Sequence, residues 1–459
     1  MGNNWPILPL ENMATVIDSR HKTPQYSEIG YPMVRVVDIK GGELSLADAK
    51  NVTADVYADF SKGRDPEIGD LIISRVGSYG NVSYVSSKQK FCLGQNTALI
   101  IPKDKDRFLY YALSSPQLRR QIDNMAVGAV QKTISLKSIK GLEVPQPPAQ
   151  ERTNIANFLS FLDDKITLNR QINQTLGQMA QALFKSWFVD FDPVVDNALD
   201  AGFFEQGLEF SDELLRRAET RKAVRESAYF KPLPEDIRQL FPAAFEECSE
   251  PSLGLGGWVP EGWNHGCISD VARYRTERVN TAELTFDNYI STENMLVDRK
   301  GVQPATSLPT INSVPAYTSG TILVSNIRPY FKKIWLAKGD GGYSNDVLGF
   351  EAKVSGTESY LFNLMYQDTF FDFMMATSKG SKMPRGDKKA ILGWDLVVPT
   401  LSLRLFFSEK VNDFYTSADS RHHENITLNQ LRDTLLPKLI SGELRLSDSE
   451  VDTAEEVLA

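Results

Sequence analysis

The stretch 148–188 reads PAQERTNIANFLSFLDDKITLNRQINQTLGQMAQALFKSWF, with no proline after Pro148 and no glycine except Gly177. Apolar residues recur at Ile155, Leu159, Leu162 and Ile166, and again at Ile172, Leu176, Met179 and Leu183. Steps of four and three make the seam that one helix offers to another. The seam turns polar and slips around Asn169 and Asn173. At 1.5 Å per residue, about 38 helical residues span roughly 57 Å. An ordinary core does not need a helix of that length, so the stretch reads as a spacer or strut.

The stretch has an echo. Ile166-Thr167-Leu168-Asn169 returns as Ile426-Thr427-Leu428-Asn429, 260 residues later. A second long helix is expected over 401–445. Residues 1–147 read as a mixed domain of short strands at 31–39, 70–76, 81–85 and 97–102, followed by helical residues 107–125 and a loop at 128–136. Residues 263–400 repeat that order. Tyr289–Glu293 matches Val34–Asp38, Gly320–Ser325 matches Gly69–Ser74, and Asn345–Leu348 matches Gln95–Ala98. Further on, 361–374 takes the place of 107–125, Lys379–Lys382 matches Val127–Val130, and Val397–Pro399 matches Glu143–Pro145. Offsets that hold near 250–260 describe one arrangement built twice. The expected fold class is α+β. Its parts are a first domain (1–147), a long helix (148–189), a connector (190–256), a second domain (257–400), a second long helix (401–445) and an acidic tail (446–459). The connector, with a charged helix expected from Asp212 to Ser227 and proline- and glycine-rich turns after it, reads as a surface link.

A length of 459 residues fits two to four domains. No run of 18 apolar residues is present and no basic-then-apolar leader opens the chain, so neither a membrane span nor export is expected. Cys92, Cys248 and Cys267 form no CxxC, and the four histidines have no zinc spacing. A reducing cytoplasm without structural metal is the simplest reading. The net charge of −9 is unevenly placed. Residues 190–262 carry 7 basic and 16 acidic residues, and 401–459 carry 6 and 11, whereas 1–150 carry 18 and 15. The two domains are therefore near neutral or slightly basic, which permits contact with nucleic acid.

Catalytic motifs are scarce. There is no GxxxxGK[ST], no GxSxG and no Asn/Asp-Pro-Pro-aromatic tetrapeptide. Asp346…Glu351-Ala352-Lys353 imitates a nuclease pattern, but its first-domain counterpart lacks the acid. His422 and His423 are adjacent, so on a helix their rings point about 100° apart. What remains is polar loops. The first domain offers Arg35, Arg75, Ser78, Tyr79, Asn96, Gln131 and Lys132; the second offers Asn294, Asn326, Arg328, Tyr330, Lys332, Lys382 and Arg385. Arginine suits guanine, asparagine and glutamine suit adenine, and lysine suits phosphate. Any one of these residues could equally be an exposed loop residue. Matching loops with different side chains in the two copies suit the reading of two different half-sites of DNA.

At this point the chain resembles the specificity subunits of type I restriction–modification systems over nearly its whole length. The resemblance rests on Pro148–Arg152, Leu183–Pro193 (LFKSWFVDFDP), Leu240-Phe241-Pro242 with Gly262-Trp263, and Leu436–Leu444 (LPKLISGEL). The second helix departs from the pattern, opening Ser402-Leu403-Arg404 instead of Pro-x-x-Glu-Gln/Arg. The resemblance implies two target recognition domains, each reading half of a bipartite site on double-stranded DNA. It also implies two long helices packed as an antiparallel coiled coil. The partners it implies are modification subunits, two of them, and restriction subunits. S-adenosylmethionine, ATP and Mg would serve those partners, with no cofactor and no catalysis in this chain. Phe184, Trp187, Phe188, Leu435 and Leu439 are the candidate partner contacts, with packing against the connector as the alternative role of the three aromatic residues. An enzyme fragment with methyltransferase or nuclease activity of its own, and a purely structural adaptor, are the competing readings.

If the long helices act as a ruler, four residues inserted after Gln174 and four after Gln430 add about 6 Å. This is close to two base pairs of rise. The methylated motif of the variant, mapped genome-wide, should keep both half-sites and gain one or two base pairs between them. An active variant with the original gap would refute the ruler.

Overall fold

The computed structural model describes residues 5–62, 64–447, 451 and 456, so most of the acidic tail expected over 446–459 lies outside the described residues. The chain forms two compact units. One comprises residues up to 171 together with those from 421 onward, and the other comprises 172–420. Each is described by itself.

In the first unit a four-stranded antiparallel sheet runs in the order Ala14–Asp18, Thr97–Pro102, Leu71–Ser74, Val82–Tyr84. The sequence LIIS at 71–74 is buried along its whole length because both faces of the sheet are covered. Successive side chains alternate between the faces. Leu71 and Ile73 therefore join the core formed with the helices, while Ile72 joins a smaller cluster with Val34, Phe91 and Leu99. That cluster lies toward a second sheet, Lys50–Val52, Tyr31–Val34 and Cys92–Leu93. The helical residues expected at 107–125 form two helices, Phe108–Ser114 and Pro116–Met125. The break is local chemistry. Ser115 is extended and its hydroxyl accepts from the Leu118 amide, and Pro116 occupies the first helical turn, where its missing N–H is not needed.

The second unit repeats these parts. Its four-stranded sheet is Ala272–Tyr274, Val347–Ala352, Ile322–Ser325, Ile334–Leu336, followed by helices Glu358–Met365 and Asp368–Ala376. Two of the expected equivalences are slipped. The Arg35 amide donates to the Asp38 carboxylate and the Ser291 amide donates to the Asn294 side chain, so Val34 corresponds to Ile290 rather than Tyr289. The Leu10 amide donates to the Leu142 carbonyl and the Ile268 amide to that of Trp394, which sets Leu142 against Trp394 and Glu143 against Asp395, not Val397. Short strands of similar composition cannot fix their own register.

The long helices span Ala149–Phe188 and Leu401–Ser441. Within each unit their pairing is antiparallel. In the first unit Asp163 meets Arg432, and the Ile166 carbonyl meets Asn425. In the second unit Asn173 meets the Ala418 carbonyl, and Phe184 meets Phe407. Ile155, Leu159, Leu162 and Ile166 are buried as the spacing requires. The expected continuation through Ile172, Leu176, Met179 and Leu183 is not the buried line, and Met179 is 48% exposed. The seam instead passes through Asn169 and Asn173 to Ala180, Phe184 and Trp187. Its polar residues are bonded within it: Asn169 Nδ2 donates to Asn425 Oδ1 at 3.0 Å and to Glu424 Oε2 at 2.8 Å. The tetrapeptide echo is not a structural equivalence either, since Ile166 is buried and Ile426 is 44% exposed. The reciprocal bonds from Asn173 to Ala418 and from Asn425 to Ile166 set the true offset, 252 residues.

The connector is no loose surface link. Asp192, Asp196 and Asp200 on the helix Asp192–Asp200 face Arg217, Arg221 and Arg225 on the helix Asp212–Arg225, rung by rung. Arg221 Nε lies 3.0 Å from Asp196 Oδ1, and Arg225, with Arg238, holds the Asp200 carboxyl below the usual carboxylate range. Beneath the ladder, Phe191, Val194, Leu214, Phe241 and Phe245 enter the main core of the unit.

That core also contains Phe184, Trp187 and Phe188, which favours packing with the connector, their alternative role. Trp187 lies edge-on to Phe241 of the connector at 5.1 Å and stacks on Phe406. Leu439 is fully buried in the core of the first unit, and Leu435 packs against it. Each of these side chains packs in or against the core of its own unit. Trp187→Ala should therefore destabilise the chain by about 3–5 kcal/mol. Urea unfolding followed by circular dichroism would check this. An unchanged midpoint would return Trp187 to the surface.

Candidate nucleic-acid interface

Three loops meet at one end of the four-stranded sheet in each unit. In the first unit, the Arg75 amide donates to the Asn96 carbonyl at 2.8 Å, and the Ile134 amide donates back to the Arg75 carbonyl at 2.9 Å. The Gly77 amide donates to Lys132 at 3.1 Å, and Val127 and Thr133 exchange two backbone bonds that close a hairpin. The second unit reproduces the set. Asn326 donates to Asp346 at 2.9 Å, Gly386 to Asn326 at 3.2 Å, Arg328 to Pro384 at 2.8 Å, and Lys379 and Arg385 exchange two bonds. Each residue lies 250–252 positions after its counterpart. The expected matches of Lys379–Lys382 with Val127–Val130 and of Asn345-Asp346 with Gln95-Asn96 hold in register.

Since main-chain bonds fix these loops, their side chains are free to differ. Several of the residues singled out are nevertheless spent internally. Arg35 forks onto the buried Asp38 through Nε at 2.9 Å and Nη2 at 2.8 Å, an interaction that raises its already high pKa. Arg75 pairs with Asp18 and donates from Nε to the Ile134 carbonyl at 3.3 Å. Asn294 is buried, its Nδ2 donating to the carbonyls of Tyr289 and Gln303, both at 2.9 Å. Asn326 is buried beside Gly386, where a Cβ would lie 2.8 Å from its Oδ1. Tyr79 donates to Asp123 at 3.0 Å, Lys332 to Asp368 at 2.6 Å, and Arg385 Nη2 lies 3.1 Å from Asp346. Burial lowers the pKa of Lys333, whose ammonium donates to the Thr292 carbonyl. These groups shape the loops.

Others face outward. In the first unit they are Ser78, Gln131 and Lys132; in the second, Arg328, Tyr330 and Lys382. Asn96 turns the corner before its strand with φ +64°, a left-handed conformation that asparagine tolerates. Arg328 and Lys332 share that conformation, at φ +50° and +49°, where the first unit has Gly77 and Gly80. A side chain held there against its backbone preference points to a use for it. Lys332 has its pair with Asp368; no described residue pairs with Arg328. Val127, Val130 and Met383, which polarity does not single out, are 69%, 103% and 47% exposed on the two hairpins. Their signal was apolar character at a turn. The nuclease-like pattern has no convergent site. Glu351 is taken by Arg273 and Arg275, Asp346 is taken by Arg385, and no group of three potential metal ligands occurs among the described residues.

A duplicated α+β domain carried on two long helices, with its variable side chains on three locked loops, is the architecture of a tandem recognition protein. A model of the type I restriction modification DNA specificity domain matches residues 4–178. The HindI specificity subunit of Haemophilus influenzae is 27% identical, covering 82% of this chain and 86% of that protein. The MjaIX specificity subunit of Methanocaldococcus jannaschii is 20% identical over 87% and 83%. The crystal structure of the type I system S subunit from M. genitalium shares the fold at a TM-score of 0.54 and 15% identity, over 95% of this chain and 96% of that one. Residues 4–178 thus match a type I DNA specificity domain, and over most of its length the chain is similar to specificity subunits of type I restriction–modification systems.

The two kinds of arginine separate experimentally. Arg75→Ala should cost about 1–3 kcal/mol, the worth of a charged hydrogen-bond partner in a confined site. Arg328→Ala, an exposed change, should stay within about 0.5 kcal/mol. Thermal unfolding of both variants checks the contrast; equal losses would contradict it.

Proposed function

We propose that this chain is the DNA-recognition subunit of a type I restriction–modification complex, each unit reading one half of a bipartite duplex target through its three loops. The observation that carries this is the loop set built twice on the same main-chain bonds with different outward side chains: Ser78, Gln131 and Lys132 in one copy, Arg328, Tyr330 and Lys382 in the other. Arg328 suits a guanine edge and the lysines suit phosphates. The chain is a recognition component rather than an enzyme. Adenine methylation belongs to modification subunits, two per chain in this reading, and cleavage to restriction subunits. S-adenosylmethionine, ATP and Mg serve those partners. With Phe184, Trp187, Phe188 and Leu439 in the cores, partner docking falls to the outer helix faces, where Leu168, Ile426 and Leu431 are more than 40% exposed. No described helix is long and apolar enough to cross a membrane, and the cytoplasm, where the chromosome is, is the proposed location.

The test is an exchange. Residues 1–147 are replaced by the matching domain of a related specificity subunit, and the methylated motif is mapped with the partners present. One half-site should change and the other should stay. A change in both halves, or in neither, would refute independent reading.

A further inference from the structure

We infer that Val130 is a specificity-determining residue of the first unit and that its ligand is the C5 methyl group of a thymine in the major groove. The inference rests on the DNA-reading role proposed above and deepens it.

Val130 is fully exposed, and Val127, three residues before it, is 69% exposed. Turns favour glycine, proline, asparagine, aspartate and serine, each for a backbone reason. Valine has none, and its branched side chain restricts χ1. It serves no core here, since it belongs to none of the buried clusters or the residues packed on them. Yet the hairpin that carries it is held firmly. Val127 and Thr133 exchange bonds at 2.9 and 2.8 Å, and Gly77 donates to Lys132 at 3.1 Å. Gly128 takes φ +122°, where a Cβ would strike the Gln131 carbonyl at 2.4 Å, so the close turn requires glycine there. The tip therefore presents an apolar surface at a fixed place, next to the exposed amide of Gln131 and the exposed ammonium of Lys132.

That set of chemistries matches one face of duplex DNA. A lysine reaches phosphate, an amide reads a base edge, and the thymine methyl is the one apolar group displayed in the major groove. The second unit supports the assignment by contrast. The position equivalent to Val130 is Lys382, and Lys379 lies at the base of the same hairpin, so that copy carries charge where the first carries methyl groups.

The experiment uses the chain assembled with its modification subunits and a duplex containing its own methylated motif. Each thymine of the half-site assigned to residues 1–147 is replaced in turn by uracil, which removes only the C5 methyl. One position should weaken binding by about fourfold, the equivalent of burying one methylene-sized group. Val130→Ala should weaken binding to the thymine duplex to a similar extent and be indifferent to uracil at that position. Val130→Ile should keep the thymine preference. The other half-site should respond identically in all three proteins, and their melting temperatures should agree. Equal uracil sensitivity in the parent and Val130→Ala, or no sensitive position in that half-site, overturns the inference while leaving DNA reading intact. A parent complex that does not distinguish its motif from a scrambled duplex overturns both.

Discussion

Two asparagine amides in the helix seam, one buried and one partly buried, set the register on which everything else depends. Asn173 donates to the Ala418 carbonyl in one unit, and Asn425 donates to that of Ile166 in the other. An asparagine in an apolar seam lowers stability relative to leucine and gains specificity, because a slipped pairing leaves its amide unbonded among apolar groups. A helix pair with a purely apolar seam could slide by a heptad. Here a slide would break bonds in both units, and it would move Phe184 and Trp187 out of one core and Leu436 and Leu439 out of the other.

The loop ends follow a similar division of labour with the roles reversed. In the helices, side chains decide how main chains align. At the sheet ends, main chains bond to one another and leave the outward side chains, such as Gln131, Lys132, Arg328 and Lys382, without structural duty. Five backbone bonds recur at matching positions, whereas Gly77 is replaced by Arg328, Asn96 by Asp346 and Val130 by Lys382. A loop shape that does not depend on side-chain identity tolerates changes of identity. Recognition of a new sequence is then possible without a new fold.

Much of this plan was legible from residues alone. The duplication was visible because glycine-containing segments such as Lys379–Lys382 and Val127–Val130 punctuate both copies. The first helix was visible because the 4-3-4 spacing from Ile155 to Ile166, in a long stretch without proline, has few other meanings. Register in the short strands was not, since Glu143–Pro145 and Asp395–Val398 hold no feature that forbids a shift of two. Burial of Asn294 depends on the Gln303 carbonyl, which no local pattern announces. The aromatic end of the first helix was ambiguous for a different reason. Core and docking surfaces have the same composition, and only the folding back of Phe241 decides between them. The exposure of Val127 and Val130 was not legible, since an apolar residue in a sequence ordinarily signals a core.

The aspartate–arginine ladder of the connector carries a further consequence. Both of its rails repeat every four residues, so as a code it is degenerate: moved by one helical turn, most rungs would find another partner of the right sign. Arg221 already shows this, lying 3.7 Å from Asp192 while bonded to Asp196. Charges spaced in this way attract without addressing. The address is written beneath them by Leu214 and Ala218, whose different sizes fit only one set of neighbours. The ladder works like the teeth of a zip, able to close at any offset, and the apolar pair is the pin that decides where it starts.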